Sequence, residues 1–582
     1  MRRPNYDKHP FVKSGAADEC AVGWVAIAAA LPRLGVLCVE CYPGADVDAI
    51  AEALCAHLDP RQVLDMRKLY RSAEELRAMF APHLSEDRVF GQMNDVTIAD
   101  YFAPDALQAA RQTVAAASPD RLTLVIGTGA SLVTGTDATV MYADMARWEI
   151  QLRFRRGELG NLGLRNEASD FSEKYKCGYF LEWRAADRLK RQLWDRVDLF
   201  LDTNRRDRPK LVSGTRMRSS LAQVGQRPFR VVPYFDPGPW GGHWMEEVCD
   251  LPRDKPNHAW CFDCVPEENS LLLGFGGERF EIPSIDLVFS HPIELLGRGV
   301  YERFGAEFPI RFDLLDTMGG GNLSLQVHPS TAYVQHQFGI PYTQDESYYL
   351  LDAGEDAVVY LGFRDGIEPE AMVRDLHAAE QGIEPFPADH YVQKWPAKPH
   401  DHFLIPAGTI HCSGKDSMVL EISATPYIFT FKLWDWGRLG MDGRPRPIHL
   451  EHGLRNLRWE RTSAWTEENL VNRIVPLAHG DGWRTERTGL HELEFIEVHR
   501  TWFTRAVSFS TEGTLNVINL VQGEEAIIAS PTNAFAPVTL HYAETMIVPA
   551  AMGAWTIRPA SSQPGPECGV VVARVRGTEE PG

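Results

Sequence analysis

Two textures of hydrophobic and polar positions divide this chain. Up to about residue 225, short apolar runs alternate with longer stretches whose apolar residues recur at three- and four-residue spacing. The runs RLGVLCVECY, RLTLVIGTG, ATVMYADM and RVDLFLDT predict strands, while DVDAIAEALCAHL and SAEELRAMFAPHL predict helices that start at Asp or Ser. That alternation implies a mostly parallel sheet covered by helices. After Gly225 the chain turns to prolines, aromatics and alternating β-branched residues with Gly/Asp turns, which predicts many short antiparallel strands. Helical stretches are expected around 364–384 and 464–476. From about 487 to 576 strand follows strand (FIEVHR, TLNVINLV, EAIIAS, TMIVPA, GVVVARV), reading as a second small barrel. The expected organisation is multidomain, α/β plus all-β: an α/β domain over 1–225, a barrel with a helical insertion over 226–480, and a smaller barrel over 481–582.

Composition sharpens this picture. A chain of 582 residues exceeds the roughly 250–300 residues at which single cores stop growing. The net charge of −20, with no dense Lys/Arg stripe, argues against nucleic acid as a partner. No segment reaches the ~20 apolar residues that span a bilayer, so no membrane partner is expected. The start, MRRPNYDKHPFVKSG, lacks the apolar run of a secretory signal, so a cytoplasmic location is expected. Ten cysteines without regular spacing read as reduced thiols. The two CxxC pairs, Cys38/Cys41 and Cys261/Cys264, lie too far apart for a zinc ribbon, and each sits in a strand-like apolar run. Oligomeric state leaves no mark on the sequence.

The chemistry concentrates after Gly319, in GGGNLSLQVHPS. Residues two apart on a strand share a face, so Gln326 and His328 present an amide oxygen and an imidazole side by side. Glu346 heads the next strand, and His411 follows a Pro406-Ala-Gly-Thr turn that lets a strand reopen with its imidazole aimed inward. One amide, one carboxylate and two imidazoles suit Zn2+ or a similar divalent ion with a position left for water or substrate. Such a site fits catalysis rather than structure.

These features also carry a resemblance. Trp240-Gly241-Gly242, Leu323-Ser-Leu-Gln-Val-His-Pro329, Glu346 before Tyr-Tyr-Leu, IPAGTIH ending at His411, the LEI strand with Glu421, then LWDWGR and RPIHLEHGL occur in the order of class I mannose-6-phosphate isomerases. Residues of about 230–576 resemble that zinc-dependent family. The resemblance implies two cupin (jelly-roll) barrels, of which the second is non-catalytic. It implies one Zn2+ per chain on Gln326, His328, Glu346 and His411, with Ser324 and Glu421 lining the pocket. It also implies a phosphorylated hexose substrate, with mannose 6-phosphate and fructose 6-phosphate interconverted through a cis-enediol. Three positions depart from the family. Gln344 stands where it has Lys, Lys432 of Thr430-Phe-Lys432 stands where it has Arg, and Ile428 replaces an acid. Lys432 keeps a charge but not a planar fork, and Arg438 of the DWGR run is a further candidate for anion contact. A sugar-binding or regulatory module that keeps metal without isomerase activity, or acts on another sugar, is the alternative.

In the first domain, GQMNDVTIADYF, the DLFLDT strand and the basic segment after it resemble nucleoside-kinase-like and phosphoribulokinase-like layouts. The P-loop GxxxxGK[ST] is missing: the first strand runs into Glu40-Cys-Tyr-Pro-Gly-Ala-Asp46. The turn Gly127-Thr-Gly-Ala-Ser131 could still offer N–H groups to an anion. His400 and His402, flanking Asp401, are read as an ordinary exposed pair at a strand end.

Overall fold

The computed structural model describes residues 4–424, 427, 429–489, 491, 493–561 and 567–578. All four strands expected early in the chain form, and they join one seven-stranded sheet. Five of its strands are parallel, in the order Gln62–Asp65, Leu122–Gly127, Gly35–Cys41, Thr139–Asp144, Leu199–Asp202, and two antiparallel strands, Lys210–Ser213 and Cys20–Val22, complete one edge. Both expected helices are present and capped. Asp46 accepts from the Ala49 N–H at the start of Val47–Leu58, and Ser72 and Glu75 form a reciprocal capping box on Ala73–Leu84.

The first parallel strand in sequence, Gly35–Cys41, lies mid-sheet, so the chain direction reverses there, and the carboxyl end of such a point is where open α/β sheets bind ligands. Here the chain fills that place itself. Glu40, 1% exposed, accepts the N–H groups of Gly129 at 2.6 Å and Ser131 at 2.8 Å. Burial pushes its carboxyl up to about 7, against the pull of those hydrogen bonds. The turn that could have offered N–H groups to an outside anion is thus satisfied by the chain's own carboxyl. Next to it, Arg153 donates to the Gly44 carbonyl at 3.1 Å, inside the turn where a P-loop would stand.

The later residues build antiparallel sheets that face each other in pairs. One pair combines six strands, in the order His402–Ile405, Asp345–Ala353, Ser417–Ala424, Arg311–Asp316, Trp260–Cys264, Tyr234–Asp236, with five, Val392–Pro396, Val358–Phe363, His411–Ser413, Leu325–Val327, Phe431–Trp434. The second pair, formed by strands from Val475–Gly480 onward, has six strands and four. The segment Phe11–Gly15 leaves the α/β sheet and pairs in parallel with Ser270–Phe275. One continuous core runs from Tyr6 through both regions to Val575, and a separate cluster around Leu37, Leu54 and Leu124 backs the other face of the parallel sheet.

The helix expected over 364–384 is Pro369–Glu380, but the one expected over 464–476 stops at Asn469. Asn472 ends it. Its φ of 48° is left-handed, and its side chain accepts the His402 N–H at 2.8 Å and donates to Asp401 at 3.0 Å. Those partners lie far away in sequence, so helical periodicity could not reveal them. All ten cysteines are free thiols, and both CxxC pairs lie buried in strands. Among the described residues no helix is long and apolar enough to cross a membrane.

Candidate metal centre

The two facing sheets bring four of the sequence candidates to one point. Gln326 sits on Leu325–Val327 directly opposite His411 on His411–Ser413, His328 follows one residue beyond its strand, and Glu346 reaches across from Asp345–Ala353. All four are buried, with the His328 and His411 side chains fully so. The turn before His411 depends on Gly408, whose φ of +91° and closeness to Arg458 leave no room for a Cβ. Its N–H donates to the His328 carbonyl at 2.9 Å, which ties the two ligand-bearing segments together.

Hydrogen bonding fixes which ring nitrogens are free. His328 Nδ1 lies 2.8 Å from the Phe429 carbonyl and His411 Nδ1 lies 2.8 Å from the Thr409 carbonyl. A carbonyl only accepts, so each Nδ1 carries a proton, and in the neutral ring each Nε2 presents a lone pair. Both lone pairs face a third acceptor: Glu346 Oε1 is 3.1 Å from His328 Nε2 and 2.8 Å from His411 Nε2. With these tautomers no proton is left to bridge them, and His328 Nε2 and Glu346 Oε1 are buried without a hydrogen-bond partner. A divalent cation resolves that conflict, and the donor set fits one. Gln326 Nε2 lies 3.2 Å from His411 Nε2, and a half-turn of its amide would aim the oxygen at the same point.

A cavity of about 270 Å³ adjoins the cluster, lined by Gln326, Ser324, Glu421, Lys432, Gln344, Thr430, Arg311, Asp313, Leu315, Leu323, Arg446, Trp240, Trp260 and Phe262. Three of the four candidate catalytic residues, Ser324, Glu421 and Lys432, therefore face it. Lys432 is half-buried, and burial, then the charge of Arg446, pulls its ammonium down to about 7. Burial, then the charges of Glu346 and Asp313, pushes the Glu421 carboxyl well up. Arg438 does not line the cavity. It is spent on Asp435 and on the Asn322 carbonyl, each at 2.5 Å. Gln344 lines the wall with both amide ends used: Nε2 donates to Glu346 Oε2 at 3.0 Å, and Oε1 accepts the Phe429 N–H at 3.2 Å. Ile428 lies outside the described residues.

Arg311, Asp313 and Arg446 are lining residues that the sequence reading missed. The first two stand two apart on Arg311–Asp316, so period-two alternation could have exposed them. Arg446 left no such trace: it reaches the site from an irregular segment by pairing with Asp435 at 2.6 Å and donating to Ser324 Oγ at 2.9 Å. The expectation of an exposed histidine pair is corrected. His402 is fully buried, and burial, then the charge of Arg500, pulls its ring down to about 3. His400 pairs with the Tyr349 hydroxyl at 3.0 Å. Among the described residues the one cluster of three or more metal-type side chains is His328, Glu346 and His411.

Residues 23–226 match a family described as a domain of unknown function, DUF8485. The chain is similar to the mannose-6-phosphate isomerase of Streptococcus mutans, 28% identical over 218 residues that make up 37% of this chain and 63% of that protein. It is also similar to mannose-6-phosphate isomerase ManA of Bacillus subtilis, 25% identical over 223 residues, 38% of this chain and 65% of that one. The chain thus spans a little under two thirds of the length of these curated relatives. The crystal structure of the Bacillus subtilis mannose 6-phosphate isomerase covers 60% of this chain and 100% of its own, at 18% identity and a TM-score of 0.49.

Proposed function

We propose that this chain is a metal-dependent aldose–ketose isomerase for a phosphorylated hexose, interconverting mannose 6-phosphate and fructose 6-phosphate through a cis-enediol. One observation carries the reading: two imidazole lone pairs and a carboxylate oxygen converge beside a cavity that Glu421 and Lys432 enter from opposite sheets. His328, Glu346 and His411, with Gln326 completing the set, would hold Zn2+ or a similar ion, which when bound polarises the sugar's carbonyl and hydroxyl oxygens. The other steps belong to the protein. Lys432 makes no salt bridge among the described residues, since nearby Asp435 is taken by Arg438 and Arg446, so its amine is available to the negative charge of an enediolate or phosphate oxygen. Arg446, held by Asp435 and Ser324, adds a fixed positive charge to the same wall. Trp240, Trp260 and Phe262 form the apolar wall that keeps water from the reacting carbons. Similarity to proteins named mannose-6-phosphate isomerase supports the choice of substrate.

A second reading, a sugar-binding module that keeps the metal without turnover, draws on Gln344. Both ends of its amide are committed, so it supplies no mobile proton where the resemblance expects a lysine. Metal analysis of the purified protein, combined with a coupled assay of mannose 6-phosphate conversion before and after chelation, separates the two. Chelator-sensitive turnover that falls on the order of 10²-fold or more in Lys432→Ala is expected for the isomerase. Bound metal with no turnover leaves the binding module.

A further inference from the structure

One side chain of the α/β region packs directly against the residue behind the metal centre. Phe90, 1% exposed, projects from the loop after the helix Ala73–Leu84 into the barrel region, where its ring lies 5.4 Å from that of Phe429 at an interplanar angle of 15°. It also meets Phe338 at 5.5 Å, Phe431 at 5.3 Å and His449 at 4.9 Å. The loop that carries it is held by its own region. Asp87 accepts the N–H groups of Val89 at 2.6 Å and Phe90 at 2.7 Å, Ser85 Oγ donates to the Phe90 carbonyl at 2.7 Å, and the Lys176 ammonium donates to the Asp87 carbonyl.

Phe429 is the residue whose placement matters. Its carbonyl accepts from His328 Nδ1, and its N–H donates to Gln344, whose amide in turn donates to Glu346. Two proposed metal ligands are therefore oriented from the backbone of a single residue. Phe429 lies outside any strand, just before Phe431–Trp434, so no sheet ladder pairs it directly and its ring contacts help to hold it. Those contacts are Phe90, Phe338 and Tyr427, and Tyr427 itself donates to the Val89 carbonyl at 3.2 Å.

We propose that Phe90 is a positioning residue for the metal centre: by wedging against Phe429 it sets the orientation of His328 and Glu346, and so makes the α/β region a structural component of the metal site. The inference rests on the metal reading given above. Partners that orient metal ligands typically change affinity by about 10–100-fold when removed, and Phe90 acts one contact further out, so an effect near the lower figure is expected.

The test uses the full-length chain. Zn2+ affinity by competition with a chromophoric chelator, and the d–d spectrum of the Co2+-loaded protein, are compared in the parent, Phe90→Ala, Phe90→Leu and Leu54→Ala. Leu54 is fully buried in the separate core behind the parallel sheet, so its truncation destabilises the α/β region without touching Phe429. Phe90→Ala is expected to bind Zn2+ about 10-fold more weakly with a shifted Co2+ spectrum. Phe90→Leu, which keeps bulk but loses the stacked ring, should show a smaller loss and a smaller spectral shift of the same sign, and Leu54→Ala should keep parental values despite a lower Tm. Parental affinity and spectrum in folded Phe90→Ala overturn the proposal, as does an equal loss in Leu54→Ala. Should Phe90→Ala fail to fold, Phe90→Leu decides: a smaller shift of the same sign supports the proposal, and parental values overturn it. A parent that binds no metal overturns instead the metal reading on which the proposal stands.

Discussion

The carboxyl end of the parallel sheet and the space between the first pair of facing antiparallel sheets both bury charged groups, yet they dispose of them in opposite ways. At the sheet, Glu40 meets the N–H groups of Gly129 and Ser131, and Lys190 is buried between Asp144 at 2.9 Å and Asp286 at 2.8 Å. Donors face acceptors there. Between the facing sheets, with the rings neutral, His328 Nε2, His411 Nε2 and Glu346 Oε1 are three acceptors turned toward one another. The contrast teaches that a glycine-rich turn or a buried charge does not by itself mark a ligand site. What marks one is a buried set whose hydrogen-bonding requirements cannot be met from within the protein.

The largest effect that would break this contrast is at His411. His411→Ala should empty the purified protein of metal and lower turnover on the order of 10³-fold or more, since the charge stabilisation supplied by a metal is worth several kcal/mol. A metal-replete, active variant would sink the ligand assignment. At the sheet the matching change should leave metal content untouched. Glu40→Ala strips the internal acceptor from two buried N–H groups, which should cost about 1–3 kcal/mol in urea unfolding. Millimolar sulfate should raise the Tm of this variant more than that of the parent, because an external anion can then occupy the emptied place. Equal responses would mean that Glu40 does not fill an anion site.

The smallest effect sharpens the comparison with an intermediate case. Among the described residues, His402 is fully buried with both ring nitrogens unpartnered, like His328 Nε2, but no carboxylate pairs with it. Its folded-state ring titrates near 3 and its unfolded ring near about 6.5. Below the higher value the unfolded chain takes up a proton that the folded one refuses. Stability is therefore full above about pH 6.5 and falls as the pH drops toward 3, by up to about 1.4 kcal/mol per pH unit. His402→Leu should flatten that acid limb in urea unfolding between pH 4.5 and 7.5 without altering metal content. An unchanged slope would show that this ring is not held neutral by burial.

Much of this was legible because local rules are strong where side-chain period and capping agree. The Gln326-Val-His328 alternation, the Pro406-to-His411 turn and the Asp46 and Ser72 caps are decided within a few residues, and the structure places each where those rules put it. The sequence by itself determined the alternating α/β texture, the later antiparallel strands, and which side chains could become ligands. Only the tertiary structure decided that Glu40 fills the glycine-rich turn, that Asn472 ends a helix to bind His402 and Asp401, that Arg438 is tied to the Asn322 carbonyl while Arg446 reaches Ser324 beside the cavity, and that Phe90 backs Phe429. The reason is the same in each case: the partner lies tens to hundreds of residues away, and a hydrogen bond or ring contact over that distance leaves no period or spacing in the chain that makes it.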